Sequence, residues 1–258
     1  MNTLCIKEIF CASWRKLDGV KGPTWFITLV ALLPLLIVQI ALINFGFMFY
    51  HETPPLIWTE LVMPIVSNFM MGIFMAGMIM PAIRQARGER INIKTGFYYF
   101  RRAPQMMTLM LITSSVTSLL MYAATLLNVS HGLTPMDFSV WRGLSFFISA
   151  LVFLFCYIAV ALIADAKLTA FEAILVSIKK VAAQFHKIVL IVMLYFILLL
   201  IIASPLLLAA VLHNMGKTSA SGILVLTGVP IFAFCMVWLL PLNALLQAHV
   251  YLKLTRPN

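Results

Sequence analysis

Six long stretches of this chain, residues 25–50, 61–83, 106–127, 144–163, 188–212 and 222–246, contain no Asp, Glu, Lys, Arg or His. Charge inside a bilayer is costly and is retained mainly for proton relays, ion coupling or catalysis. Its absence disfavours a proton-coupled transporter built on buried carboxylates, whereas sodium coupling through backbone carbonyls and hydroxyls stays open. Enzyme signatures are missing as well: there is no His-Glu-x-x-His helix, no Gly-x-Ser-x-Gly elbow, and no aspartate within a stretch to serve an intramembrane aspartyl protease. Gly216, Lys217 and Thr218 match the end of a phosphate loop, but Val211 stands where its first glycine belongs. The histidines His51, His131, His186, His213 and His249 lie in loops or near stretch ends without ligand-pair spacing, which argues against a metal site. Cys5 and Cys11 precede the first stretch while Cys156 and Cys235 lie inside stretches, so no disulfide is expected. We expect no catalytic residue, no cofactor and no metal.

What the chain has in excess is apolar surface. Its 258 residues are 63% hydrophobic and 10% charged, with a mean hydropathy of +1.04; soluble domains sit near roughly 45–50% and about 25%. The six stretches hold 26, 23, 22, 20, 25 and 25 residues, and each meets the requirement of about 20 for a helix to cross roughly 30 Å of hydrocarbon. They are apolar all round rather than alternating, which excludes a β-barrel. The expectation is an all-α polytopic membrane protein with six transmembrane helices in one domain over 1–258. The first stretch begins at Trp25, is too long for a signal-peptide core and lacks a small-residue cleavage site after it, so it reads as a retained anchor.

Basic residues set the orientation. The N-terminal segment, the loops after spans 2 and 4, and the C-terminal tail carry sixteen of the eighteen Lys and Arg; the three alternate loops carry Arg142 and Lys217 alone. Both termini are therefore expected in the cytoplasm, with the basic loops at the cytoplasmic face of the membrane. The net charge of +10 belongs to the cytoplasmic face, where anionic phospholipid headgroups are the expected partner, and nucleic acid need not be invoked.

Each cytoplasmic segment before an odd-numbered span carries an apolar or aromatic stretch ending in a basic doublet: IKEIFCASWRK, IKTGFYYFRR and FEAILVSIKK. Aligning Arg15/Lys16, Arg101/Arg102 and Lys179/Lys180, which are 86 and 78 residues apart, groups Trp14 with Phe100 and Ile178, and Cys11 with Phe97 and Leu175. This predicts three pseudo-repeated hairpins, each preceded by a short interfacial amphipathic helix. The third copy is the plainest: Phe171, Ile174, Leu175, Ile178, Ala182 and Phe185 form one helical stripe, opened by a Thr169/Glu172 capping box. In the first, Ile6, Ile9, Phe10, Trp14 and Leu17 form a similar stripe. The six doublet residues are candidate contacts for anionic lipid or a protein partner, although a plain role as topology anchors is the favoured reading.

Polar residues enter the spans sparingly. Asn44, Asn68, Thr117 and Ser118 lie about 9–15 Å below the outer helix ends by residue count. They are candidates for a polar cavity between spans 1 to 3, or for a simple bond from Asn68 to Thr117 or Ser118 between packed helices. Thr113, Ser114, Ser115, Thr117 and Ser118 give span 3 a small-residue surface suited to close packing.

Residues 161–187, in which an apolar span yields to Asp165, Leu168, Thr169, Glu172, Ala173, Ser177 and a basic doublet, resemble an element of uncharacterised bacterial six-span inner-membrane proteins. They are similar also to the membrane domain beside some glycerophosphodiester phosphodiesterases, and the closing pattern of Pro230, Pro241, Ala244 and Tyr251 fits the same group. The catalytic domain of that second group has no counterpart here. Three functions remain: a scaffold, assembly or envelope-homeostasis component without catalysis, favoured by the absent chemistry; a transporter or lipid-handling protein using the polar cavity; and, least favoured, a headgroup enzyme using Asp165, Glu172 and the doublets.

Overall fold

A computed structural model describes residues 5–50, 55–92, 101–131, 135–215 and 218–255. Every regular element among them is helical: α1 (Ile6–Arg15), α2 (Leu17–Tyr50), α3 (Met63–Arg87), α4 (Ala103–His131), α5 (Pro135–Phe155), α6 (Ala159–Asp165), α7 (Ala170–Ala182), α8 (Phe185–Asn214) and α9 (Thr218–Thr255). A π-helical turn, Trp58–Val62, leads into α3. Five stretches are long and apolar enough to cross a membrane: Trp58–Arg87, Ala103–Leu127, Val140–Asp165, Phe185–His213 and Ser221–Thr255. α2 is a 34-residue helix, of which Leu36–Gly46 stands out as a shorter apolar segment among the described residues. The IKTGFYYF stretch before the second doublet, residues 93–100, lies outside the described residues.

The core sits at one end of the bundle, where the basic doublets gather. Ile79, Met80, Ala82 and Ile83 of α3, all of α6 from Ala159 to Ala164, and Leu242, Leu245, Leu246, Ala248 and Val250 of α9 are buried there, with Ile9, Leu17, Val20 and Ile188 against them. Toward the other end, large apolar side chains such as Leu33, Ile37, Leu207, Leu226 and Phe234 stand exposed. Apolar surface on that scale is not left in water by a soluble monomer, and it suits a lipid solvent. We call the two ends the basic end and the far end.

Close helix approach rests on small residues. A Cβ on Gly72 of α3 would meet the Met107 Cα of α4 at 2.7 Å and its N at 2.8 Å, so only glycine permits this crossing. Ser114 and Ser118 are buried on α4, and Ser145 of α5 donates to the Leu120 carbonyl at 3.2 Å. Of the small-residue surface expected on this helix, Ser114 and Ser118 are thus buried, while Thr113, Ser115 and Thr117 stay partly exposed.

Prolines inside helices free carbonyls four residues back, and two of those acquire side-chain donors. Pro241 leaves the Val237 carbonyl, which accepts from the Trp25 indole at 3.1 Å and so ties α2 to α9. Pro205 leaves that of Ile201, which accepts from Ser204 Oγ at 2.7 Å. The fourth apolar stretch breaks without any proline or glycine. α5 stops at Phe155 and α6 starts at Ala159, and the Phe155 carbonyl accepts from Ser177 Oγ of α7 at 2.6 Å. A side chain inserted from a neighbour accounts for such a break.

Candidate functional site

Two constellations stand out, a polar knot at the basic end and a cleft above it. The knot draws one residue from each of three helices that reach this end. Asp165, last residue of α6, accepts from both terminal nitrogens of Arg87 at the end of α3, through Nη1 at 2.8 Å and through Nη2, and from the Tyr251 hydroxyl of α9 at 2.6 Å. The Asp165 side chain is 13% exposed and that of Arg87 34%. Bidentate pairing of this kind fixes geometry as well as charge. Gly88 follows at φ 84, the left-handed residue that ends α3, with Gly88 N–H donating to Gln85 O and Glu89 N–H to Arg84 O, both at 3.0 Å.

The amphipathic helices brace the knot. On α7 the capping box is present: Glu172 N–H donates to Thr169 Oγ1 at 3.4 Å, and Glu172 Oε2 accepts from Thr169 N–H at 2.9 Å. That Thr169 N–H, foremost, and the Thr169 hydroxyl, which donates to the same Oε2 at 2.9 Å, hold the Glu172 carboxyl below its ordinary range. Ala170, Ala173, Ser177 and Val181 form the buried face, while Phe171 and Leu175 are 68% and 66% exposed and Ile178 is exposed beside them. Of the expected stripe, Ile174 and Phe185 pack partly against the core instead. α1 behaves differently. Ile9 and Leu17 are buried and Ile6 and Phe10 partly so, leaving Trp14 as the large apolar residue of its stripe that is exposed.

The doublets divide their labour. Arg15 and Lys179 are exposed. Lys16 donates to the Ala86 carbonyl at 2.8 Å, and Lys180 to that of Leu254 at 2.6 Å; each thereby caps the penultimate residue of an inward-packed helix. Arg101 is exposed and Arg102 partly buried. Lys179 and Lys180 also border a pocket of about 460 Å³ with Val176, Ala183, Gln184 and Leu254.

The cleft, of about 300 Å³, opens between α3, α4 and α5, with α6 and α9 at its base. Its polar lining is Asn68, Thr113, Ser114, Thr117, Ser149, Tyr157 and Gln247, and Met71, Met75, Met110, Val152 and Phe153 supply most of its apolar lining. The hydroxyls of Thr113, Ser114, Thr117 and Ser149 donate to carbonyls four residues back, which leaves their oxygens able to accept. Asn68 donates to the Pro64 carbonyl at 2.9 Å, leaving its own carbonyl oxygen for a ligand; it bonds neither Thr117 nor Ser118. The Gln247 amide has no hydrogen-bond partner among the described residues.

Of the four polar candidates, Asn68 and Thr117 meet in this cleft. Ser118 is buried outside its lining. Asn44 is exposed on α2 and donates to Ile40 O at 2.9 Å. The cleft therefore lies between α3, α4 and α5 with α9 below, rather than between the stretches expected as spans 1 to 3. Ser149, Tyr157 and Gln247 escaped notice in the sequence because depth along a helix says nothing about which way a side chain faces. Among the described residues no cluster of His, Cys, Asp and Glu could hold a metal ion. No protein-family model matches the chain, and no curated protein or solved structure is significantly similar to it.

Proposed function

We propose that this is a six-span protein of a bacterial cytoplasmic membrane, with both termini inside, that handles a lipid-like molecule in its cleft: a lipid-handling or transport component rather than an enzyme. The carrying observation is the cleft itself, whose uncharged polar stripe faces methionine and aromatic walls. Such a lining suits an alkyl segment bearing a neutral hydrogen-bonding group, since a charged group would find no counter-charge among the lining residues.

The length of α2 supports the sixth span, and sixteen against two basic residues support the orientation. The threefold repeat draws support from the alignment of doublets 15/16 and 179/180, which differ by 164. At that same offset buried Ile9, Ser13, Leu17 and Val20 fall on buried Ala173, Ser177, Val181 and Gln184, exposed Trp14 falls on exposed Ile178, and Arg87 falls on Tyr251, its neighbour in the knot. The resemblance to six-span inner-membrane proteins agrees with this architecture and adds no activity. The scaffold reading keeps one observation in its favour, the exposed apolar face of α7, which a membrane partner would cover as readily as lipid does.

The test is photolabelling in nanodiscs with a phospholipid carrying a diazirine on its acyl chain. Peptides containing Met71, Met75, Met110 and Phe153 should label more strongly than the lipid-exposed face of α8 around Leu194 and Ile201. Asn68→Leu should weaken cleft labelling about fivefold, the equivalent of one hydrogen bond near 1 kcal/mol. Even labelling of all lipid-facing surfaces would return the scaffold reading to first place.

A further inference from the structure

The exposed side of α7 combines two features that no packing role explains. Phe171, Leu175 and Ile178 lie exposed along one line. Lys179 lies about 40° round the helix from Leu175, and Lys180 about 140°, at 100° per residue. Beyond Lys179 opens the pocket of about 460 Å³ formed by Val176, Lys179, Lys180, Ala183, Gln184 and Leu254. No acidic residue lines it among the described residues; Glu172, the acid on this helix, is engaged by Thr169 at the far N-terminal turn. Lys180 is held by its bond to Leu254 O at 2.6 Å, which uses one ammonium proton and leaves two. Lys179 has no hydrogen-bond partner among the described residues. An anchor helix needs only scattered charge, whereas here two ammonium groups border a concavity that adjoins an apolar line.

We infer that this pocket is a headgroup site for an anionic phospholipid, the phosphate between Lys179 and Lys180 and the acyl chains along Phe171, Leu175 and Ile178. Charge complementarity selects the headgroup, and the adjoining apolar line selects a lipid over a free anion, because a soluble phosphate would leave three large side chains uncovered. The inference rests on the membrane orientation in the proposed function, which brings α7, between the fourth and fifth spans, to the cytoplasmic surface of the bilayer, and it is independent of the cleft.

The experiment is native mass spectrometry of the full chain released from nanodiscs of equimolar phosphatidylglycerol and phosphatidylcholine. Wild type should retain phosphatidylglycerol preferentially. Lys179→Gln should lower that retention about fivefold, the effect of one lysine near an anionic surface, and leave phosphatidylcholine unchanged. Leu175→Ser should lower both lipids, and Lys7→Gln, which removes an exposed lysine of α1, should lower neither. An unchanged preference in Lys179→Gln, or an equal loss in Lys7→Gln, overturns the site in favour of diffuse surface charge. Loss of the wild-type preference in millimolar inorganic phosphate overturns it in favour of a simple anion pocket. If Leu175→Ser alters neither lipid, the surface placement of α7 fails, and the site with it.

Discussion

Asp165→Asn is the most informative single change, because it keeps the side chain's size and removes only its charge. In the wild type the carboxylate accepts two bonds from Arg87 and one from Tyr251. The asparagine offers one carbonyl oxygen and an amide that must point a donor at either the guanidinium or the phenol. Breaking a fully buried ion pair costs about 3–5 kcal/mol, chiefly through the charge left behind. Here Arg87 retains a third of its side-chain exposure, and water screens part of that loss. About 2 kcal/mol is the expected penalty. On the scaling of soluble domains this size, that corresponds to a fall of roughly 4–8 °C in melting temperature.

The assay is thermal unfolding in one fixed detergent, extended to a double-mutant cycle with Arg87→Met. If the knot binds α3 to α6, the Asn and Met changes together should cost at least 1 kcal/mol less than the sum of the singles. Additive losses, or an Asp165→Asn variant melting within about 1 °C of wild type, would refute the claim that the knot holds these ends together.

Gly72→Val should destabilise by about 1–3 kcal/mol or more, because the obstruction is the Met107 backbone and α3 and α4 must part to admit it; crosslinking between cysteines introduced on the two helices would report the separation. Trp25→Phe keeps the ring but strands the carbonyl that Pro241 already leaves without its helical donor, so a loss of about 1–2 kcal/mol is expected in the same melting assay. The Glu172 carboxyl is held below its ordinary value, so its contribution to α7 is complete above the unfolded pKa of about 4.3 and disappears as pH falls through the lower folded value. Wild type should therefore lose stability relative to Glu172→Gln over that acidic window and not at neutral pH; parallel melting curves for the two proteins from pH 7 to 3 would sink the assignment.

Where the physics is local, the sequence was readable. Hydrophobic runs became long helices because nothing but length and apolarity is required of them, and the Thr169/Glu172 box appeared where the spacing put it. What depends on a neighbour was not readable. The break after Phe155 has no proline or glycine to announce it, since its cause is a serine 22 residues away on α7. The stripe on α1 was legible as a stripe but not as core, because α1 and α7 share a period and differ in what lies beneath them. In the knot, Arg87 reads from sequence only as one of many basic residues, although Asp165 is a tell: an acid set directly at the end of an apolar stretch, just before a lysine-rich segment. The cleft was half legible, through Asn68 and Thr117, and its α5 and α9 contributors needed the tertiary arrangement.

The proposed repeat gives the cleft its strongest argument. If three equivalent hairpins surround an axis, packing alone would treat the three spaces between them alike. The axis itself is treated as packing requires, with Arg87, Asp165 and Tyr251 satisfying one another. The spaces around it differ. Between α9 and α2 the Trp25 indole crosses to the Val237 carbonyl, and Lys21 lies 5.0 Å over the Trp238 ring, so aromatic side chains occupy the junction. Between α3, α4 and α5 stand methionines, threonines and serines around open volume. Methionine bends to fit whatever adjoins it, and short hydroxyls bonded to their own helix leave room. A bundle built only to hold itself together gains nothing from filling the α2–α9 junction while leaving the α3–α4–α5 junction open and lined with adaptable side chains, whereas a protein that admits a guest needs such an opening.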